Sequence, residues 1–152
     1  MKIVFVCTGN TCRSPLAESI AKQLMPDFEI VSRGLMVQEG QPISSHSREL
    51  LQRHELPIPK GAQLFDAGDA EADLILTMTT AHRQMIQAMY GPQVNVYALN
   101  DYVDEDLPVE DPYGGQYETY EQVFEQLTRM IDKLKSKLVT EKLYNQYKLK
   151  KK

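Results

Sequence analysis

Residues 2–15, Lys2-Ile3-Val4-Phe5-Val6-Cys7-Thr8-Gly9-Asn10-Thr11-Cys12-Arg13-Ser14-Pro15, constrain the fold of this chain more than any other segment. Ile3 to Val6 are continuous, apolar and β-branched or aromatic, which reads as a strand buried on both faces. After a short polar loop, Ser14-Pro15 opens a helix, with Ser14 as the expected N-cap and Pro15 at the first helical position. Leu16, Ile20 and Leu24 form its inner stripe, and Pro26 ends it. A buried strand running into a helix in this way is the first half of a right-handed βαβ crossover.

The rest of the chain keeps the alternation. Phe28 to Val31 reads as a second strand, Ser45 to His54 as a helix, Leu74 to Leu76 as a third strand and Thr79 to Tyr90 as a helix stopped by Gly91-Pro92. Val94 to Leu99 reads as a fourth strand, Asp101 to Asp111 as an acidic loop, and Tyr117 to Leu138 as a helix. In that last helix Tyr120, Val123, Phe124, Leu127, Ile131 and Leu134 fall at helical spacing. The expected fold is α/β: a single-domain, three-layer α/β/α arrangement around a central, mainly parallel four-stranded sheet. The domain would occupy residues 1–138, and residues 139–152 would form a basic, frayed C-terminal tail. His46, His54 and His82 read as structural or surface residues.

Composition narrows the function. The 152 residues carry 17 basic and 21 acidic side chains, a formal net charge of -4. That is a poor basis for sequence-independent nucleic-acid binding, which needs many phosphate-neutralising cations. The apolar run Ile3 to Cys7 is far short of the roughly 20 residues of a membrane span and lacks a signal-peptide pattern, so the expected location is cytoplasmic, without a membrane partner. Only two cysteines occur, Cys7 and Cys12. They make neither a disulfide scaffold nor, without a second ligand pair, a zinc site.

The chemistry is concentrated in residues 7–14. In open α/β sheets ligands bind beyond the carboxyl ends of the strands, and Cys7 and its loop stand there. Consecutive backbone N–H groups of Thr8, Gly9, Asn10, Thr11 and Cys12 can form a concave nest for an anion, and the helix dipole adds positive potential. Gly9 allows a φ other residues resist, and Asn10 tolerates the left-handed region. Arg13 offers a planar fork for two phosphoryl oxygens. The loop therefore suits phosphate or another tetrahedral oxyanion. The same field favours thiolate over thiol at Cys7, to which Ser14 can donate a hydrogen bond. A thiolate beneath a cradled phosphoryl group can attack phosphorus in line. A cysteine alone at a strand end would be a small buried hydrophobe; Gly, Asn, Arg and Ser behind it make the chemical reading the stronger one.

C-x5-R-S at residues 7–14, set directly after the first strand, resembles the low-molecular-weight protein tyrosine phosphatases. So does Asp111-Pro112-Tyr113-Gly114-Gly115 before the last helix. The resemblance extends through Ser32-Arg33-Gly34, Ala72-Asp73-Leu74-Ile75-Leu76-Thr77-Met78 and the closing helix, over residues 1–138. It implies that Cys7 is the nucleophile, Arg13 the phosphoryl clamp, and Asp111 first the general acid and then the base for hydrolysis of a phosphocysteine. Tyr113 would form part of the substrate wall, Asn10 and Ser14 would hold the loop and tune the sulfur, and Cys12 would be a backdoor thiol able to pair with Cys7 on oxidation. Phosphorylated proteins would be the substrates; no metal or organic cofactor is implied. One departure stands out. Many relatives carry a histidine before the central strand that holds the loop asparagine. Pro57-Ile58-Pro59-Lys60-Gly61 has none, so Ser32 would carry more of that support.

Thr11 bears on the substrate. Most tyrosine-specific relatives have isoleucine there, whereas a bacterial branch with threonine resembles the protein arginine phosphatases, which cleave the P–N bond of phosphoarginine. Threonine leaves room for a planar guanidinium and offers a polar contact. Asp111 suits a cationic guanidinium, but Tyr113 can stack on either substrate. Phosphoarginine is the leading expectation and phosphotyrosine the alternative. A thioredoxin-coupled arsenate reductase would need further cysteines after Cys12. A non-catalytic phosphate-binding module would be expected to lack the nucleophile or the acid. The acidic run Asp104-Glu105-Asp106 reads as a solvated loop, with attraction of basic peptides as the alternative.

Overall fold

The computed structural model describes residues 1–151, without the side chains of residues 143, 144, 147 and 151. Four strands form one sheet: β1 (Lys2–Cys7), β2 (Glu29–Gly34), β3 (Leu74–Thr77) and β4 (Val96–Ala98). Their spatial order is β2-β1-β3-β4 and every pairing is parallel. The helices are α1 (Arg13–Leu24), α2 (Ser45–Arg53), α3 (Thr80–Tyr90), the short α4 (Leu99–Tyr102) and α5 (Tyr117–Lys151).

The central strand β1 is buried on both faces, as its unbroken apolar run requires, and its side chains divide between two cores. Ile3, Phe5 and Cys7 join Leu16, Ile20, Leu50, Leu127 and Ile131 from α1, α2 and α5. Val4 and Val6 face the other way, onto Ile75, Ile86 and Val96. The result is three layers, with α1, α2 and α5 on one face and α3 on the other. Full burial of an aliphatic or aromatic side chain contributes about 1.5–3 kcal/mol, so each face of β1 is a substantial source of stability.

Several boundaries differ from the sequence expectation. Helix α1 begins at Arg13, and its N-cap is Cys12 rather than Ser14. Ser14 lies inside the first turn, fully buried, because its hydroxyl is engaged by the loop and is not free to cap. Strand β2 runs on to Gly34, with alternating exposure along Ser32-Arg33-Gly34 that marks an edge strand. Strand β4 is shorter than Val94 to Leu99, since Leu99 already starts α4. A run of apolar residues does not by itself separate strand from buried helix. Finally, α5 does not stop near Leu138 but continues to Lys151. Residues 139–151 contain no Gly or Pro, and lysines near a helix C-terminus complement the dipole. Lys152, the last of the basic run, lies outside the described residues.

The acidic loop is tied down. Glu105 accepts from Arg129 at 3.2 and 2.8 Å and pairs with Lys133 at 2.9 Å. These partners, Arg129 foremost, hold its carboxyl below the usual range. Part of the acidic charge expected to meet solvent or basic peptides is thus neutralised by α5. Among the described residues no helix is long and apolar enough to cross a membrane.

Candidate active site

Strand order reverses between β1 and β3, and their carboxyl ends open a crevice there. Residues 8–12 fill it. Asn10 takes a left-handed backbone, φ 57°, which bends the loop back over the end of β1. Pairing of Cys7 with Gly34 brings β2 hard against this loop. A Cβ on Gly34 would sit 2.7 Å from the Thr8 carbonyl oxygen and 3.0 Å from the Asn10 nitrogen, so only glycine fits. Leu35 N–H donates to Cys7 O at 3.1 Å and Met36 N–H to Thr8 O at 2.9 Å, which pins the loop's outer edge.

The Cys7 sulfur is buried and held on two sides. Asn10 N–H donates to Sγ at 3.3 Å, and the Ser14 hydroxyl lies 3.0 Å from it. Asn10 N–H, and the Ser14 hydroxyl when its proton points this way, can donate to the sulfur. Cys12, as N-cap, makes no side-chain capping bond. The first-turn N–H groups of α1 are thereby left for an anion.

A buried polar chain supports this arrangement. The Asn10 amide donates to Ser14 Oγ at 2.8 Å and to Ser32 Oγ at 2.9 Å, while its carbonyl accepts from Gln63 N–H at 2.9 Å. Ser32 donates onward to Glu18 at 2.7 Å, and Lys22 pairs with the other Glu18 oxygen at 2.7 Å. Ser32 therefore carries support for Asn10, together with the Gln63 backbone. Since the Asn10 amide occupies a lone pair of Ser14, the Ser14 proton has two acceptors in reach, Cys7 Sγ at 3.0 Å and the Arg33 carbonyl at 3.4 Å, and the sulfur is the nearer.

Arg13 is buried, and its Nη1 donates to the Val109 carbonyl at 3.0 Å. Its Nη2 stands 3.9 Å from Asp111 Oδ2. Asp111 is half exposed, and its Oδ1 accepts from Tyr113 N–H at 3.0 Å, a local turn that presents the carboxyl to the cleft. Tyr113 is exposed beside it. The cleft, ≈ 320 Å³, has Cys7, Thr8, Gly9, Thr11, Cys12 and Arg13 as its floor and Gln41, Asp111 and Tyr113 at its rim. Every residue expected at the site from the sequence lies at this one place: Cys7, Thr8, Gly9, Thr11, Cys12, Arg13, Asp111 and Tyr113 on the cleft, Asn10 and Ser14 directly behind it. Cys7 and Cys12 are free thiols. The Cys12 sulfur lies 3.6 Å from the Tyr120 hydroxyl, whose ionisation is pushed up to about 12 by burial and by that contact. Among the described residues no group of His, Cys, Asp and Glu side chains is placed to hold a metal ion.

Two neighbours of the site were not expected there from the sequence. Gln41 reaches the rim from the turn before Pro42, far from the loop in sequence. His82 was expected to be merely structural, but it packs behind Thr8, with Nε2 2.9 Å from Thr8 Oγ1 and Nδ1 3.0 Å from Thr79 Oγ1. The available clue was Thr79-Thr80-Ala81-His82 opening a helix at the carboxyl end of β3, beside the crevice. His46 and His54 do pack structurally, against Tyr120 and Phe124.

Burial and the Arg13 guanidinium push His82 down to about 4, against a partial upward pull from Asp111. The unfolded chain protonates this ring near pH 6.5, the folded chain near 4. The stabilisation is fully present above 6.5 and is lost as pH falls toward 4, by about 2–3 kcal/mol. Urea unfolding of wild type and His82→Gln at pH 7 and about pH 4.5 checks this. The variant is expected to lose about 2 kcal/mol less than wild type on acidification; equal losses would remove the buried neutral imidazole from the account.

A model of the family described as low molecular weight phosphotyrosine protein phosphatase matches residues 2–145. The low molecular weight protein-tyrosine-phosphatase PtpB of Staphylococcus epidermidis is 53% identical over 137 residues, covering 90% of this chain and 99% of the relative. The solved structure of YwlE arginine phosphatase from Geobacillus stearothermophilus matches with a TM-score of 0.88 and 32% identity, covering 94% of this chain and 96% of its own. A YwlE arginine phosphatase mutant with a phosphorylated active site serine matches with a TM-score of 0.87 and 30% identity, over 91% and 95% of the two chains.

Proposed function

We propose, because this chain belongs to the low molecular weight phosphotyrosine protein phosphatase family, that its cleft hydrolyses phosphoarginine side chains of proteins through a phosphocysteine. The family makes the chain a protein phosphatase acting on phosphoprotein substrates. The geometry of the cleft supports the following finer steps.

The phosphoryl group enters over Cys7, its oxygens taken by the loop N–H groups and the Arg13 fork. Arg13 is aimed by its bond to Val109 O, so little side-chain freedom is lost on binding. The Cys7 sulfur attacks phosphorus in line; an S–P bond forms as the P–N bond breaks. Asp111 passes its proton to the departing guanidino nitrogen. As a carboxylate, it then takes a proton from the water that attacks phosphorus. The S–P bond breaks, the thiolate is restored and phosphate leaves.

The observation that carries the phosphoarginine reading is the wall around the phosphoryl site. Thr11 lines the cleft from the floor and Gln41 and Asp111 from the rim, leaving Tyr113 as the aromatic contributor. Such a wall offers hydrogen-bond acceptors and a carboxylate to a guanidinium and little apolar collar to a phenyl ring. The likeness to YwlE supports the same reading. A second reading, phosphotyrosine, is favoured by the name of the 53% identical relative and by an exposed Tyr113 able to stack on a ring.

The test compares kcat/KM on matched phosphoarginine and phosphotyrosine peptides. Wild type is expected to prefer phosphoarginine. Thr11→Ile is expected to shift the ratio toward phosphotyrosine by about tenfold, a change of ~1.4 kcal/mol in relative transition-state binding. A wild type that prefers phosphotyrosine, or an unmoved ratio in Thr11→Ile, overturns the arginine assignment.

A further inference from the structure

The reaction as written makes no use of the Thr8 hydroxyl, yet this group is the end of a hydrogen-bonded relay with a defined direction. Thr79 Oγ1 caps α3 by accepting from His82 N–H at 3.3 Å, and it also lies 3.0 Å from His82 Nδ1. On its other side the ring meets Thr8 Oγ1, 2.9 Å from Nε2. Burial and the adjacent Arg13 guanidinium, opposed by Asp111, keep this ring neutral near pH 7. A neutral imidazole has one N–H and one acceptor nitrogen.

The partners decide which nitrogen is which. With the proton on Nδ1, Thr79 Oγ1 would accept twice, and its own proton would have no acceptor among the described residues. With the proton on Nε2, Thr79 donates to Nδ1 and accepts the His82 backbone N–H, and Nε2–H donates to Thr8. Either tautomer leaves one hydroxyl proton without an acceptor among the described residues; this one leaves it on Thr8, exposed at the cleft, rather than on the half-buried Thr79. Thr8 Oγ1 has accepted, and its own proton has no acceptor among the described residues. It stands on the wall of the cleft, one residue after Cys7.

We infer that the Thr8 hydroxyl donates a hydrogen bond to the phosphoryl group held over Cys7, with His82 as the positioning residue that fixes the direction of that bond. The inference rests on the reading of this cleft as a phosphoryl site. It adds a side-chain donor to a cradle otherwise made of backbone N–H groups and Arg13. His82 acts through Thr8 and touches no reacting atom.

The experiment measures inorganic phosphate as a competitive inhibitor of aryl phosphate hydrolysis near pH 7, on variants shown by circular dichroism to be folded. Thr8→Val keeps the shape of the side chain and removes the donor. Phosphate affinity and kcat/KM are expected to fall about 5- to 10-fold, the worth of one such hydrogen bond. Thr8→Ala is expected to show the same loss. Thr8→Ser restores the hydroxyl and is expected to bind phosphate within about twofold of wild type. His82→Gln keeps an N–H donor toward Thr8 and should behave like Thr8→Ser, whereas His82→Leu should behave like Thr8→Val. Equal phosphate affinity in wild type and Thr8→Val, or a Thr8→Ser as weak as Thr8→Val, overturns the inference while leaving the cleft as the phosphoryl site. A wild type that neither binds phosphate nor hydrolyses the aryl phosphate overturns that reading of the cleft itself.

Discussion

Cys7→Ser is expected to reduce turnover of a phosphoarginine peptide and of an activated aryl phosphate alike, by about 10⁴-fold or more, as loss of a covalent nucleophile does elsewhere. On the proposed route both substrates pass through the same sulfur, so leaving-group quality gives neither an escape. A serine oxygen is not ionised at neutral pH, and the two contacts now made to Sγ, from Asn10 N–H and the Ser14 hydroxyl, cannot supply the missing charge. Binding is a separate matter. The loop N–H groups, the uncapped first turn of α1 and the anchored Arg13 are untouched by the substitution. Inorganic phosphate should therefore bind Cys7→Ser within a few-fold of wild type, measured by calorimetry. Retention of near-normal hydrolysis would eliminate the phosphocysteine route.

Asp111→Asn separates the two substrates. A guanidino nitrogen leaves poorly without a proton, whereas a nitrophenolate leaves well. The variant is expected to slow peptide turnover by about 10²- to 10⁴-fold, the range of general acid catalysis. For nitrophenyl phosphate the slowing should be about tenfold or less in the first step. Single-turnover kinetics on both substrates reads this directly. The structure makes Asn a fair probe, because Asp111 Oδ1 accepts from Tyr113 N–H and the Asn carbonyl can keep that bond. Equal slowing on both substrates would take Asp111 out of the acid role and leave it as a partner of Arg13, 3.9 Å away.

The parts of the molecule legible in the sequence were those governed by near neighbours. The run Ile3 to Val6, short and rich in β-branched and aromatic residues, reads as an inner strand, and four alternating strand and helix patterns lead to a parallel sheet. Residues 7–14 are contiguous, so their grouping needed no knowledge of the fold. Boundaries were less legible where one residue type serves two purposes. Ser14 has the chemistry of a cap, but Asn10 and Cys7 take its hydroxyl. Leu99 continues an apolar run yet turns into α4. Glu105 looks like any acid in a solvated loop until α5 brings Arg129 and Lys133 beside it.

By itself the sequence determined the order of elements and the contents of the anion loop, because backbone conformation and turn chemistry respond to residues a few positions away. Tertiary structure alone decided what surrounds that loop. The β1–β2 register brings Ser32, and through it Glu18, to Asn10. The carboxyl end of β3 delivers His82 to Thr8, the segment before Asp111 offers the Val109 carbonyl to Arg13, and the turn at Gln41 closes the rim. Each of these contacts joins residues separated by more than a turn of helix or a hairpin. Strand pairing and helix packing select such partners, and no local pattern along the chain encodes them.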